Sequence, residues 1–251
     1  MAIHLVYRFY AELADYKPKI WRRFEVNGNK TMAELGYILM TMFEMQASHL
    51  FCLTFNPGAE ILEGTRKHCS DEVLDKLRGK SDFADLLKVW RFELPFEDIY
   101  VSENEEWYDA SECRLKEITN RVRCQLKFIY DYGDNWQVNL SLESCEKVDV
   151  NASELPKILE GEGFGIIEDC GGVTGLEELT QAFKRKMGGQ YDEYRRWLGV
   201  DDLDLAAFDI DDVNFRLKKL PRIYKETYEY GYEPTQRSID LIERRYKNKR
   251  L

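Results

Sequence analysis

The sequence predicts an α+β fold, an antiparallel β-sheet with a covering helix followed by a mainly helical C-terminal part. Three observations predict it. Apolar residues alternate with polar ones through much of the first 143 residues, a Thr31/Glu34 capping-box pattern opens one strong helix among those strands, and after Ser153 the apolar period changes from two to that of a helix.

From Ile3 to Leu13 the residues Ile3, Leu5, Tyr7, Phe9, Ala11 and Leu13 fall on one face of a half-buried strand. The turn DYKPK, with Pro18 outside the ladder, leads into a second strand, IWRRFEV, which should close a hairpin with the first. Leu35, Ile38, Leu39 and Met42 follow the capping box at three-and-four spacing and form the face by which this helix covers the sheet. His49 to Phe55 reads as a strand ended by Asn56-Pro57-Gly58, and 59–82 as a charged surface excursion with short helical pieces. Residues 89–99 are expected to be an edge strand, because Pro95 cannot donate to a ladder.

Two alternating runs come next. Val122, Cys124, Leu126, Phe128 and Tyr130 should share a face with Trp136, Val138, Leu140 and Leu142, joined by DYGDN, in which Gly133 and Asn135 supply positive φ. Beyond them, Thr174 and Glu177 are expected to cap a helix through Met187, Tyr191 to Leu198 to form another, and Asp209 to Tyr230 a longer one interrupted near Pro221. Asp201, Asp202, Asp204 and Asp209 should lie near helix N-termini, with Leu203, Leu205, Phe208 and Ile210 buried. SIDLIERRYKNKRL should form a terminal helix ending in Arg244, Arg245, Lys247, Lys249 and Arg250.

The whole chain narrows the classes of function. Its 251 residues and 44% hydrophobic content can fill a substantial core, and 15 Tyr with 13 Phe argue against disorder. A net charge of −10 disfavours a general polyanion-binding or lipid-docking surface. Six cysteines without a CxxC pair, early charges at Arg8, Glu12 and Asp15, and no long uncharged apolar run lead to the expectation of a cytoplasmic protein with reduced thiols and no membrane association.

Candidate chemistry is concentrated in three places. His49, Asp131, Asp134, Glu168 and Asp169 lie at a strand start and in two loops that can meet at one end of the sheet, where an imidazole and carboxylates can bind a divalent metal. The plainer reading is turn chemistry: Asp and Asn around Gly133 bond their own backbone, and Glu168 and Asp169 serve the following Gly-Gly turn or helix. Trp21, Arg22 and Arg23 are a candidate anion contact, although strand geometry lets only Trp21 and Arg23 share a face; the alternative is an Arg buried in a pair with Asp131 or Asp134. The basic tail and Lys184-Arg185-Lys186 are the candidate nucleic-acid contacts, with helix-end charge as the alternative. Gly171, Gly172 and Gly175 lack the Walker lysine and the Rossmann spacing and read as a turn. His4, His49 and His68 show no zinc spacing, and Trp107, Tyr108 and Trp197 are either partner contacts or core.

PKIWRRFEV at 18–26, TMAELGYILMTMFEMQASHLFCLTF at 31–55, FIYDYGDNWQVNLSLE at 128–143, EDCGGVTGLEELTQAF at 168–183 and YRRWLGVDDLDLAAFDIDDVNFRL at 194–217 occur in one order. Together they resemble the plasmid pRiA4b ORF-3-like family, also described as passenger proteins of an insertion element. The resemblance implies an α+β domain over 1–217, a helical extension over 218–251, and no assigned reaction. Two departures stand out. Val138 occupies the last position of a GDxWxH pattern, and Gly165, Ile166 and Ile167 replace a Cys-Pro-Pro, so the resemblance does not carry over any metal or catalytic role of those groups. The expected function is a non-enzymatic binding or adaptor protein with a protein partner. The alternatives are a metal-assisted hydrolase acting on phosphodiesters and a DNA-associated accessory protein of a mobile element.

Overall fold

The computed structural model describes residues 2–58, 87–96, 99–118 and 124–244. The α+β expectation holds: eight strands form one sheet, and helices are concentrated in the C-terminal half. The strands are β1 (Ala2–Leu13), β2 (Trp21–Asn27), β3 (Phe51–Phe55), β4 (Val89–Glu93), β5 (Glu105–Asp109), β6 (Gln125–Tyr130), β7 (Trp136–Val150) and β8 (Lys157–Glu162). The helices are α1 (Met32–Met42), α2 (Leu115–Ile118), α3 (Gly172–Arg185), α4 (Gly189–Leu198), α5 (Ile210–Leu217), α6 (Leu220–Tyr230) and α7 (Gln236–Ile242). The expected excursion at 59–82 lies outside the described residues.

Across the sheet the order is β5-β4-β3-β6-β7-β1-β2-β8. β1 and β2 pair antiparallel, as do β6 and β7, so both expected hairpins form. The long β7 pairs with nearly all of β1, from Ala2 opposite Val150 to Leu13 opposite Val138, with a bulge between Arg8 and Phe9. β4 corrects the sequence reading. It is interior, antiparallel to β3 and parallel to β5, and the edge falls to β5. Pro95 lies beyond the end of β4 at Glu93, so its missing N–H costs the ladder nothing.

α1 begins at a complete capping box. Thr31 Oγ1 accepts from the Glu34 N–H (3.2 Å) while the Glu34 carboxylate accepts from the Thr31 N–H (3.0 Å). The expected apolar face understates its burial. Nearly every residue from Met32 to Met42 is buried, because α1 lies between the sheet and helices α5 and α6. Gly36 permits the approach to β3, since a Cβ there would stand 2.4 Å from the Phe51 ring.

Further expectations shift at the loops. β3 starts at Phe51, which leaves His49 in the preceding loop. In the β6–β7 turn the positive φ values belong to Asp131 (55°) and Asn135 (53°), while Gly133 has an ordinary φ. α3 is capped by Gly171 in the left-handed region rather than by Thr174 and Glu177. The glycines allow this earlier start, since a Cβ on Gly175 would fall 1.6 Å from the Cys170 carbonyl. The same helix ends at Arg185, with Lys186 left-handed (φ 52°), so Met187 is outside it and 74% exposed. Of the four aspartates expected at helix starts, Asp209 caps α5, its carboxylate accepting from the Asp212 N–H. Asp201 and Asp202 instead pair with Arg195 and Lys186 after α4, and Asp204 holds a turn at Ala206. The break before α6 comes at Lys218 and Lys219, placing Pro221 in the first turn, where its missing N–H is tolerated. Among the described residues no helix is long and apolar enough to cross a membrane.

Candidate functional site

Pairing of β3 with β6 sets Phe51 opposite Tyr130, so the residues just outside that pair emerge at one end of the sheet. His49 precedes β3, Asp131 follows β6, and the Asp131 N–H donates to the Leu50 carbonyl at 2.9 Å, extending the register. The loop before α3 brings in Asp169. His49 Nε2 lies 3.7 Å from Asp131 Oδ2 and 3.4 Å from Asp169 Oδ1, and one donor atom from each residue lies within 4.8 Å of the others. Both contacts are longer than the ~2.7–2.9 Å of a charge-assisted hydrogen bond. Asp131 has two roles: Oδ1 accepts from the Gly133 N–H (3.0 Å), closing the turn, which leaves Oδ2 for the imidazole. Asp131 and Asp169 both adopt left-handed backbone (φ 55° and 60°), and the His49 ring stands edge-on to Tyr130 with centroids 5.8 Å apart.

The other two members of the candidate cluster point elsewhere. Glu168 is buried and accepts from the Gln46 N–H (2.6 Å), the Ser48 hydroxyl (2.6 Å) and the Tyr130 hydroxyl, so it fastens the 44–49 loop to the sheet. Asp134 turns toward α3. Its carbonyl lies 2.6 Å from where a Cβ on Gly172 would stand, and its buried Oδ2 has no hydrogen-bond partner among the described residues. Burial, reinforced by Asp134, pushes the Cys170 thiol up to about 12.

A cleft of about 620 Å³ opens beside Asp169, lined by Ser48, Glu168, Phe164, Trp197, Ile242 and Arg244 among others. Trp197 is 47% exposed on its wall, while Trp107 and Tyr108 are half-buried on β5, with Tyr108 stacked on Phe92. Beneath the cleft, Glu44 accepts from Arg216 and Arg244, and Asp212 lies 3.4 Å from Arg216 and 3.1 Å from Arg244. This network joins residues up to 200 positions apart, and no local sequence signal announces it.

β2 is a different environment. Arg22 is fully buried and donates to five carbonyls, those of Trp21, Met42, Glu162, Gly163 and Phe164, at 2.7–3.1 Å. The expected acid partner, Asp131 or Asp134, is replaced by backbone because β8 and the loop after it wrap around the guanidinium. Burial pulls its pKa down to about 9, still above neutrality, so the carbonyls meet a positive charge. Arg23 and Trp21 share the opposite face as expected (5.7 Å), and Arg23 is paired with Glu143 (2.8 Å) and Glu160 (2.5 Å). Lys184 and Arg185 occupy the last turn of α3, and the tail beyond Arg244 lies outside the described residues. His4 sits on β1, and His68 is outside the described residues.

Comparison with known proteins adds the family and the fold. A family model described as plasmid pRiA4b ORF-3-like protein matches residues 5–216. The uncharacterized protein y4hQ of Sinorhizobium fredii (strain NBRC 101917 / NGR234) is 28% identical over 116 residues, covering 44% of this chain and 59% of that relative, so the chain spans under two thirds of the curated relative it matches. The crystal structure of MM3350, a protein of unknown function from Methanosarcina mazei Go1, superimposes with a TM-score of 0.63 at 22% identity, covering 84% of this chain and 97% of that one. This likeness shows the fold alone.

Proposed function

This chain belongs to the plasmid pRiA4b ORF-3-like family, and from that premise we propose that it is a binding or adaptor protein built around a divalent-cation site at His49, Asp131 and Asp169. The observation that carries the reading is convergence. Residues 82 and 120 positions from His49 present single oxygens to its imidazole within 4.8 Å, without the short hydrogen bonds that would close the group. One imidazole nitrogen with two carboxylate oxygens suits Mn²⁺ or Zn²⁺ better than Ca²⁺, which prefers six to eight oxygens. Three protein donors leave coordination positions for an oxygen from a partner, and the adjoining cleft gives that partner room.

A second reading, metal-assisted hydrolysis of phosphodiesters, is favoured by the same open positions, since a bound cation can activate water and neutralise a phosphate oxygen. A DNA-associated accessory role draws no support from β2, where Arg22 is buried and Arg23 is paired, or from Arg244, which is tied to Glu44 and Asp212.

Thermal unfolding and titration calorimetry with Mg²⁺, Mn²⁺ and Zn²⁺ against a chelated control test the site. We expect one cation per chain and about 2.7 kcal/mol of stabilisation at a hundredfold excess over Kd, lost in the Asp131→Asn/Asp169→Asn double variant. Absence of binding by the unmodified protein would overturn the proposal. Cleavage of bis(p-nitrophenyl) phosphate by the metal-loaded protein, absent from the double variant, would select the hydrolase reading.

A further inference from the structure

We infer that α6, which lies beyond the family-matched residues 5–216, positions His49 for the cation, with Tyr228 as the principal positioning residue; the inference rests on the cation reading above. The 44–49 loop has no ladder of its own and includes two left-handed residues, Glu44 and Ala47 (both φ 63°). Such a segment keeps one conformation only if its polar groups are tied from outside. Glu168 ties the N–H of Gln46 and the hydroxyl of Ser48, and the Tyr130 hydroxyl accepts from the Ser48 N–H at 3.1 Å. The Met45 N–H donates to the Met40 carbonyl at 2.9 Å, and further ties come from the C-terminal segment. The Tyr224 hydroxyl donates to the Met45 carbonyl at 2.9 Å, the Tyr228 hydroxyl donates to the carbonyl of His49 itself, and Arg244 donates to the Glu44 carboxylate at 2.7 Å.

Tyr228 is well placed to act as a strut. Its ring stacks on Tyr37 (5.7 Å) and meets Phe51 edge-on (5.4 Å), so α1 and β3 fix where its hydroxyl can stand. His49 therefore has two ties on its C-terminal side, through its own carbonyl to Tyr228 and through the Leu50 carbonyl to the Asp131 N–H, while Ser48 before it is held by Glu168 and Tyr130. Loss of the Tyr228 hydroxyl removes the tie to the His49 carbonyl while leaving the ring, and so the packing of α6, in place. Groups that orient a metal ligand typically change metal affinity by about 10–100-fold when removed.

The test compares Tyr228→Phe with Tyr224→Phe in the full chain, by two readouts. The first is the imidazole resonance of His49 in metal-free protein, assigned by its loss in His49→Gln and shifted by the Tyr130 ring. The second is Mn²⁺ affinity by calorimetry. Tyr228→Phe should move the resonance and weaken Mn²⁺ binding about tenfold, while Tyr224→Phe, acting four residues away at Met45, should do much less. An unmoved resonance in Tyr228→Phe, or equal effects of the two variants, overturns the positioning role. If the unmodified protein binds no Mn²⁺, the cation reading falls, and the metal-free resonance still decides whether Tyr228 positions His49.

Discussion

The two polar regions of the sheet, Trp21-Arg22-Arg23 on β2 and His49-Asp131-Asp169 at the end of β3 and β6, look equally functional as residue types, yet their partners differ. In the first, every charge is answered within about 3 Å, Arg22 by five carbonyls and Arg23 by two carboxylates. In the second, an imidazole and two carboxylates face one another at 3.4 and 3.7 Å and none completes the others. A satisfied polar group stabilises the fold. One held in place but left incomplete is available to something else. Adjacent residues show the same division, since Glu168 is buried under three donors and Asp169 has a side chain 71% exposed.

Substitutions in the two regions should therefore separate stability from binding. The largest effect is expected at Arg22→Leu, which strips five carbonyls of their donor, two of them in buried bonds, and should cost about 3–5 kcal/mol, a fall in Tm on the order of 10 °C; a loss below 1 kcal/mol would break the comparison. Glu168→Gln comes next. It puts an amide where Glu168 now only accepts, at a cost of about 1–3 kcal/mol, read by urea denaturation together with faster hydrogen exchange at Gln46 and Ser48. Asp169→Asn should change metal-free stability least, within about 0.5 kcal/mol, while removing the cation response. A large destabilisation there would reclassify Asp169 as a structural residue.

Much of the fold was legible because it rests on local chemistry. The period-two runs, the Thr31/Glu34 box and the change of period after Ser153 each depend on neighbours within a few residues. The interior position of β4 was not legible, because Pro95 marks a strand end as readily as an edge, and the parallel partner β5 gives no local sign of its register. In the candidate site, the five polar residues were legible as a group because turn-forming Asp and Gly residues mark loops at strand ends. Their division into a rim of His49, Asp131 and Asp169 and a fastened Glu168 was not, since it depends on Tyr130, Gln46 and Ser48 meeting Glu168 across 38 to 122 residues. One reading of β2 expected a buried Arg paired with Asp131 or Asp134 without saying which Arg; the buried one is Arg22, and among the described residues no acid pairs with it. Its backbone acceptors were hidden, because carbonyls carry no sequence signature.

The pairing of β1 with β7 also governs the order in which the chain can be built. β1 is complete at Leu13, but its second partner begins at Trp136, and β3, which can pair with β4 from Val89, gains its other neighbour only with β6 at Gln125. During vectorial synthesis the nascent chain therefore exposes strand edges and the apolar face of α1 until more than half of it has been made, and the outer side of α1 is covered only once α5 and α6 emerge. Slow, non-local closure of this kind leaves a long interval of vulnerability to misassociation, which makes translation through residues 56–124 a period in which chaperones can decide the yield of folded protein.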